Sequence, residues 1–145
     1  MTGKKTKIVL DADVIHHFVK GGRLSLLPKV FPEFQYIVLD IVRKELPLLI
    51  LSELDRQISL RKDIKEEVFG KDPAEKKEYF RLTSLNGLCL GRGESACMVY
   101  CRFHDDVVGS SNTKDIKQYC QEHGIIFLTS NPPIVDFDKY NCDKI

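Results

Sequence analysis

Short apolar runs recur along the chain at regular intervals, and each is bounded by turn-forming or charged residues. Runs of this length without internal polar positions are typical of strands that are buried on both faces of a sheet. The segment at 64–69 is more charged than the others, which favours a place at the edge of the sheet. The predicted strands are 7–12 (KIVLDA), 35–40 (QYIVLD), 64–69 (IKEEVF), 106–109 (DVVG) and 125–130 (IIFLTS).

Between these runs, apolar residues are spaced as on one face of a helix. Glycines end several of the segments, and a proline at or near a helix start costs little because that N–H has no partner there anyway. Asp40 is placed to cap one helix, and Pro47 near its start is a point where that helix could break. The predicted helices are 14–19, ended by Gly21-Gly22; 24–31, with Pro28 inside; 41–60; 73–84, opening at Pro73; 93–104; and one from Ser111 or Asn112 to His123, ended by Gly124.

Strands and helices alternate without the turn signals of a β-hairpin, which indicates a parallel sheet with helices on both faces. The predicted fold class is α/β, with three layers and four to five mainly parallel strands. A length of 145 residues suits one domain with one core. We predict a single domain over 1–145, with its core at 7–130 and a polar C-terminal tail at 131–145.

The amino-acid composition excludes few functions, whereas the hydrophobic pattern predicts the fold class. The formal net charge is +1, so the chain is not a globally basic nucleic-acid binder, although six of the first 30 residues are Lys or Arg. The five cysteines are odd in number and form no CxxC pair, which argues against disulfides and structural zinc. No apolar run is long enough for a signal peptide or a membrane span, which predicts a cytoplasmic protein without membrane contact.

Acidic and amide side chains follow the predicted strands at their carboxyl ends, where open α/β sheets bind ligands. Asp11 ends the first strand and is followed by Asp13. Glu45 lies one turn into the helix after the second strand, Glu94 opens the helix at 93–104, and Asn112 opens the last helix. Three carboxylates on one rim repel one another unless a cation neutralises them, and oxygen ligands suit Mg²⁺ or Mn²⁺.

Four segments together resemble a PIN domain, the small nuclease domain of many bacterial toxins and RNA-processing enzymes. They are IVLDADVI, VLDIVRKEL, LGRGESACMVYC and VVGSSNTKDIKQYCQEHGI, in the family order across residues 7–130. The resemblance implies a Mg²⁺- or Mn²⁺-dependent endoribonuclease that hydrolyses single-stranded RNA. Asp11, Glu45 and Glu94 would hold the metal, and Asn112 would orient the water or the substrate. The resemblance also implies the toxin of a toxin–antitoxin pair, with an antitoxin partner and a homodimer.

The chain departs from the family pattern at two positions. A second carboxylate, Asp13, stands where the family often has Asn, Ser or Thr, and it would either add a ligand or cap the first helix. Asn112 stands where the family commonly has its last Asp, and Asp115 follows three residues later. Asn can bind a metal through its carbonyl oxygen but brings no charge, which argues against a second metal ion.

Other interpretations remain open at this point. Taken singly, each acid fits a helix cap or a solvated helix position. DADVI approximates the motif of haloacid-dehalogenase-like phosphatases, with Asp11 as nucleophile and Asp13 as acid–base, whereas Asn112 also suits an inactive PIN-like binding module. Asp105 and Asp106 precede a strand and are predicted to form a solvated turn. No aromatic-rich RNA platform is visible in the sequence.

Overall fold

A computed structural model of the chain describes residues 6–29, 32–84, 91–110 and 113–128, without the side chains of residues 27, 28 and 113–115. Its five strands form one sheet in the order β3-β2-β1-β4-β5, and every neighbouring pair is parallel. The predicted α/β class with a parallel sheet is therefore confirmed. The strands are β1 Lys7–Leu10, β2 Gln35–Leu39, β3 Ile64–Glu67, β4 Val107–Gly109 and β5 Phe127–Leu128.

The central strand β1 explains why the apolar runs are continuous. Ile8 lies opposite Tyr36 of β2 on one side and Val107 of β4 on the other. Ile8, Val9 and Leu10 are fully buried, so side chains on both faces of this strand contact the core. Strand β3 is an edge strand as predicted, and its Lys65 and Glu66 are exposed.

The helices form two groups. Helix α1 packs against α3 and the following 3-10 helix, whereas α5 packs against α2, α4 and α6. From β1, the sheet extends through β2 to β3 on one side and through β4 to β5 on the other. Because crossovers between parallel strands are right-handed, this change of direction places the helices on opposite faces of the sheet. The helices are α1 Ala12–Lys20, a 3-10 helix Leu24–Lys29, α2 Asp40–Arg43, α3 Leu48–Arg56, a π-helical turn Gln57–Arg61, α4 Pro73–Thr83, α5 Arg92–His104 and α6 Thr113–Glu122.

The single helix predicted over 41–60 is wrong. The chain leaves the helix after Arg43 and begins α3 after Pro47, whose φ of −64° and extended ψ make it the N-cap residue. The Arg43 guanidinium then joins the two pieces by a two-point ion pair with Asp55, its Nη2 lying 3.1 Å from Oδ2. As a result, Glu45 lies in a turn between two helices instead of inside one.

Asp40 also differs from its predicted role as a helix cap. It is the first residue of α2, and its Oδ1 accepts hydrogen bonds from the Ile41 N–H at 3.0 Å and the Phe69 N–H at 2.9 Å. The second bond fixes the segment after β3 against the start of α2. Other predicted bounds shift by one or a few residues; residues 129–130, the tail at 131–145 and the proposed caps Ser111 and Asn112 lie outside the described residues.

Asp105 and Asp106 lie at the amino-terminal edge of the sheet, and only one of them matches the predicted solvated turn. Asp105 is exposed and ends α5 with a φ of 58°. Asp106 is buried, and its Oδ1 accepts a hydrogen bond from the Lys7 N–H at 3.1 Å. This carboxylate therefore connects the starts of β4 and β1, and the prediction of solvation is wrong for Asp106.

We expect Asp106→Ala to lower the free energy of unfolding by about 1–3 kcal/mol, because the Lys7 N–H loses its acceptor. The control is Asp105→Asn, since Asn tolerates the left-handed backbone at that exposed position. Urea unfolding followed by circular dichroism measures both. Equal stability of the Asp106 variant and the parent would show that the carboxylate does not hold these strands together.

Three cysteines in the described part of the chain, Cys97, Cys101 and Cys120, are buried and free. Within the same residues, no helix is both long and apolar enough to cross a membrane.

Candidate functional site

The topological switch point of the sheet lies between β1 and β4, because the chain adds β2 and β3 on one side of β1 and β4 and β5 on the other. Parallel α/β sheets bind ligands at the carboxyl ends of the strands that flank this point. Asp11 follows β1 and Ser110 follows β4. The Asp11 N–H donates to the Gly109 carbonyl at 2.8 Å, and the Ser110 hydroxyl donates to Asp11 Oδ2 at 3.2 Å. Both residues are buried, so the strand ends fix the Asp11 carboxylate in one place.

The Asp11 carboxyl group has unusual electrostatics for an aspartate. Its burial, with only 4% of the residue exposed, raises its pKa from 3.8 to about 7. That value already includes the negative charges of Asp13 and Glu94, which also raise the pKa, and the hydrogen bonds from the Ala12 N–H, at 2.7 Å, and from Ser110, which lower it. Asp11 is thus a desolvated acid beside other acids, a state that an added cation would relieve.

Gly93, in the first turn of α5, lies beside the carboxylates of both Glu45 and Asp11. The Gly93 N–H donates to Glu45 Oε2 at 3.2 Å. A Cβ atom built on Gly93 would clash with Glu45 Oε1 and would lie 3.3 Å from Asp11 Oδ1. The missing side chain at Gly93 therefore leaves the space in which the carboxylates of Asp11 and Glu45 approach each other.

Glu94 lies next to this space and also stabilises its own helix. Its Oε1 accepts a hydrogen bond from the N–H of the N-cap residue Gly91 at 3.2 Å, which satisfies one of the free N–H groups at the start of α5. Its charge is close enough to Asp11 to raise the pKa of that carboxyl group. Glu94 lies in the first turn of α5, as the sequence predicted, and its role at the site stays a prediction.

The structure says less about the three other candidate residues, which are Asp13, Asn112 and Asp115. Asp13 is exposed in the first turn of α1, and its charge raises the pKa of Asp11. Asn112 lies outside the described residues. Asp115 lies within α6, but its side chain is not among those described.

Sequence reasoning missed three residues of the site. Ser110 was hidden in a run of polar residues, although a hydroxyl at the end of the strand beside β1 is a usable signal. Gly93 resembles an ordinary helix-start glycine. Cys97 lies one turn further along α5; its Sγ is 3.8 Å from the Leu10 carbonyl oxygen, and burial together with the charge of Asp11 raises the pKa of its thiol well above the usual range.

A divalent cation fits the chemistry of this donor set. Within the described ranges, no three His, Cys, Asp or Glu side chains lie close enough to form a metal-binding group by themselves. Mg²⁺, however, commonly uses one or two carboxylates and keeps several waters. Asp11 and Glu45 supply two carboxylates around Gly93, and a cation would offset the buried negative charge.

Comparisons with known proteins identify the fold but not the function. No protein-family model matches the sequence, and no curated protein matches it. Among solved structures, the chain is similar to a PilT N-terminus domain protein from the hyperthermophilic archaeon Sulfolobus solfataricus P2. The TM-score is 0.51 at 9% identity, covering 86% of this chain and 87% of that one. The chain therefore has the fold of a PilT N-terminus domain, or PIN domain.

We expect Ser110→Ala to raise the pKa of Asp11, because the variant loses a hydrogen bond that favours the ionised carboxylate. The matched control is Ser95→Ala, which removes a buried hydroxyl that has no hydrogen-bond partner and should leave this pKa unchanged. Carbon-detected NMR titration of the Asp11 carboxyl group, without metal, measures both. An unchanged titration in Ser110→Ala would remove Ser110 from the site.

Proposed function

We propose that the protein is a Mg²⁺- or Mn²⁺-dependent endoribonuclease that hydrolyses phosphodiester bonds of single-stranded RNA. The main support is the pair of carboxylates from Asp11 and Glu45 that converge on Gly93 at the carboxyl ends of the strands. A buried acid with a pKa near 7 costs stability when it is ionised, so its presence at this point favours a functional role. The fold shared with a PilT N-terminus domain is consistent with this activity.

In this proposal, each described residue has a separate task. When bound, the cation lowers the pKa of a water molecule and stabilises negative charge on the phosphoryl oxygens. Asp11 and Glu45 hold it, and Glu94 adds negative charge beside them. The Ser110 hydroxyl and the Ala12 N–H keep the Asp11 carboxylate in position, while Gly93 keeps the space between the acids open. Asn112 would orient water or RNA, with Asp13 and Asp115 as additional candidates.

The biological setting is proposed on the family resemblance alone. We propose a cytoplasmic toxin that an antitoxin protein inhibits and that forms a homodimer. Coexpression with genomically neighbouring proteins tests the antitoxin, since an antitoxin should copurify with the chain and restore cell growth.

The function is tested by incubating the protein with a fluorescently labelled single-stranded RNA while Mn²⁺ is titrated. A nuclease yields shortened RNA only with the metal, and Glu45→Gln should abolish this cleavage. Release of phosphate from small esters without RNA cleavage would indicate the phosphatase instead. RNA binding with neither reaction would indicate the inactive binding module, which the uncharged Asn112 favours.

A further inference from the structure

A cleft of about 510 Å³ lies between α4 and α5, away from the carboxylates. The two phenylalanines that line it are exposed to solvent: Phe80 is 62% exposed and Phe103 is 41% exposed. Exposed aromatic rings are costly in water and often mark a binding surface. The lining consists of Ala74, Lys77, Glu78, Phe80, Arg81, Ser84, Arg102 and Phe103.

The charges around these rings are mainly positive, with three cationic side chains against the one carboxylate of Glu78. Glu78 accepts hydrogen bonds from Arg81 at 2.8 Å, Arg102 at 2.9 Å and the Tyr119 hydroxyl at 2.6 Å. These partners, Arg81 first, lower its pKa to about 2, so Glu78 stays ionised and holds both guanidinium groups in place. Each guanidinium has five N–H donors, and Glu78 uses only some of them.

One guanidinium also lies beside an aromatic ring. Arg102 Cζ is 5.6 Å from the centre of the Phe103 ring. Aromatic rings and guanidinium planes are the surfaces on which unpaired bases stack, and nearby cations contact the phosphates. The cleft therefore combines both chemistries that single-stranded nucleic acid requires.

We propose that this cleft binds single-stranded RNA, with bases stacked on Phe80 and Phe103 and phosphates contacted by Lys77, Arg81 and Arg102. The inference rests on the proposed nuclease function and extends it to a substrate-binding surface. Helix α5 runs from Glu94 at the carboxylates to Phe103, about 13 Å along its axis. Nine residues also turn an α-helix through about two and a half turns, so Phe103 projects from the side of α5 opposite Glu94, and the cleft would hold RNA outside the cleaved segment.

Binding is measured by the fluorescence anisotropy of a 5′-fluorescein single-stranded RNA in EDTA, where no cleavage occurs. We expect Phe80→Ala and Phe103→Ala each to weaken binding about 5- to 100-fold, the loss typical of removing one stacked base. The matched control is Leu60→Ala, an exposed apolar side chain on the π-helical turn, which should bind as the parent does.

The salt dependence provides a second measurement. Lys77→Ala should lower the slope of log affinity against log salt by about 0.7, the value for one phosphate contact with a single strand. Lys20→Ala, at the end of α1, should leave the slope unchanged. Parent-like binding by both phenylalanine variants would overturn the proposal. The proposal would also be overturned if light scattering showed the parent to be a dimer and Phe80→Ala dissociated this dimer without weakening RNA binding. Because cleavage is not measured, weakened binding supports the cleft even if the nuclease proposal fails.

Discussion

At pH 8 and without metal, Asp11→Asn is expected to melt at a clearly higher temperature than the parent protein. The pKa of the Asp11 carboxyl group is about 7 in the folded state and 3.8 ordinarily. Below pH 4 both states are protonated, so this group does not affect stability. As the pH rises from 4 to 7, the carboxyl group ionises in the unfolded state while burial keeps it protonated in the folded state, and the parent loses stability on the order of 4 kcal/mol. Asparagine carries no such charge.

Thermal melts in EDTA at pH 5 and pH 8 test this result. The gain of Asp11→Asn should be clearly smaller at pH 5 than at pH 8, while Asp63→Asn, at an exposed aspartate, should melt as the parent does at both. Glu94→Gln should also melt at or above the parent's temperature, and both site variants should lose RNA cleavage. If Asp11 served only as the cap of α1, Asp11→Asn would instead melt close to the parent at both pH values, because Asn caps a helix about as well as Asp.

The second large effect is expected from Gly93→Ala, which should nearly abolish cleavage while the protein stays folded. The added Cβ would clash with Glu45 Oε1 and approach Asp11 Oδ1 to 3.3 Å. Glu45 is an exposed, flexible side chain and can turn away, so folding tolerates the change. Alanine also favours a helix over glycine by about 1 kcal/mol. We therefore expect unchanged or higher stability with at least about 100-fold less cleavage, the effect of roughly 1 Å of misplacement in an active site.

A double-mutant cycle shows whether Gly93→Ala acts through Glu45. If it does, adding Gly93→Ala to Glu45→Ala should lower the rate of cleavage no further. Multiplying losses would show that the glycine matters by another route, and parent-like cleavage by Gly93→Ala alone would place Glu45 outside the active site.

The parts of this fold that the sequence predicted are those determined by local pattern. The strands at Lys7–Leu10 and Gln35–Leu39 are buried on both faces, which requires continuous apolar runs. Asp11 was predictable for the same reason, because it is the first polar side chain after a buried strand. Pro47 was named only as a point where the predicted helix 41–60 could break, and the ion pair that joins the two helical pieces, between Arg43 and Asp55, links residues 12 positions apart.

The parts that the sequence did not reveal depend on contacts between distant residues. The bond from Gly93 to Glu45 joins residues 48 positions apart, and the bond from Lys7 to Asp106 joins residues 99 apart. The cleft with Phe80 and Phe103 has the same origin: neither ring belongs to an aromatic-rich segment, and only the packing of α4 on α5 brings them together. Periodicity carries no information about such pairs.

The central claim is that Asp11 and Glu45 together hold a divalent cation. Its most direct test is the binding of Mn²⁺ at pH 8, measured by the loss of the free-ion electron paramagnetic resonance signal, in the parent, Asp11→Asn, Glu45→Gln and the control Glu53→Gln. We expect one Mn²⁺ per chain in the parent and the control, and binding at least about tenfold weaker in both site variants. No binding to the parent, or equal binding by all four proteins, would contradict the claim.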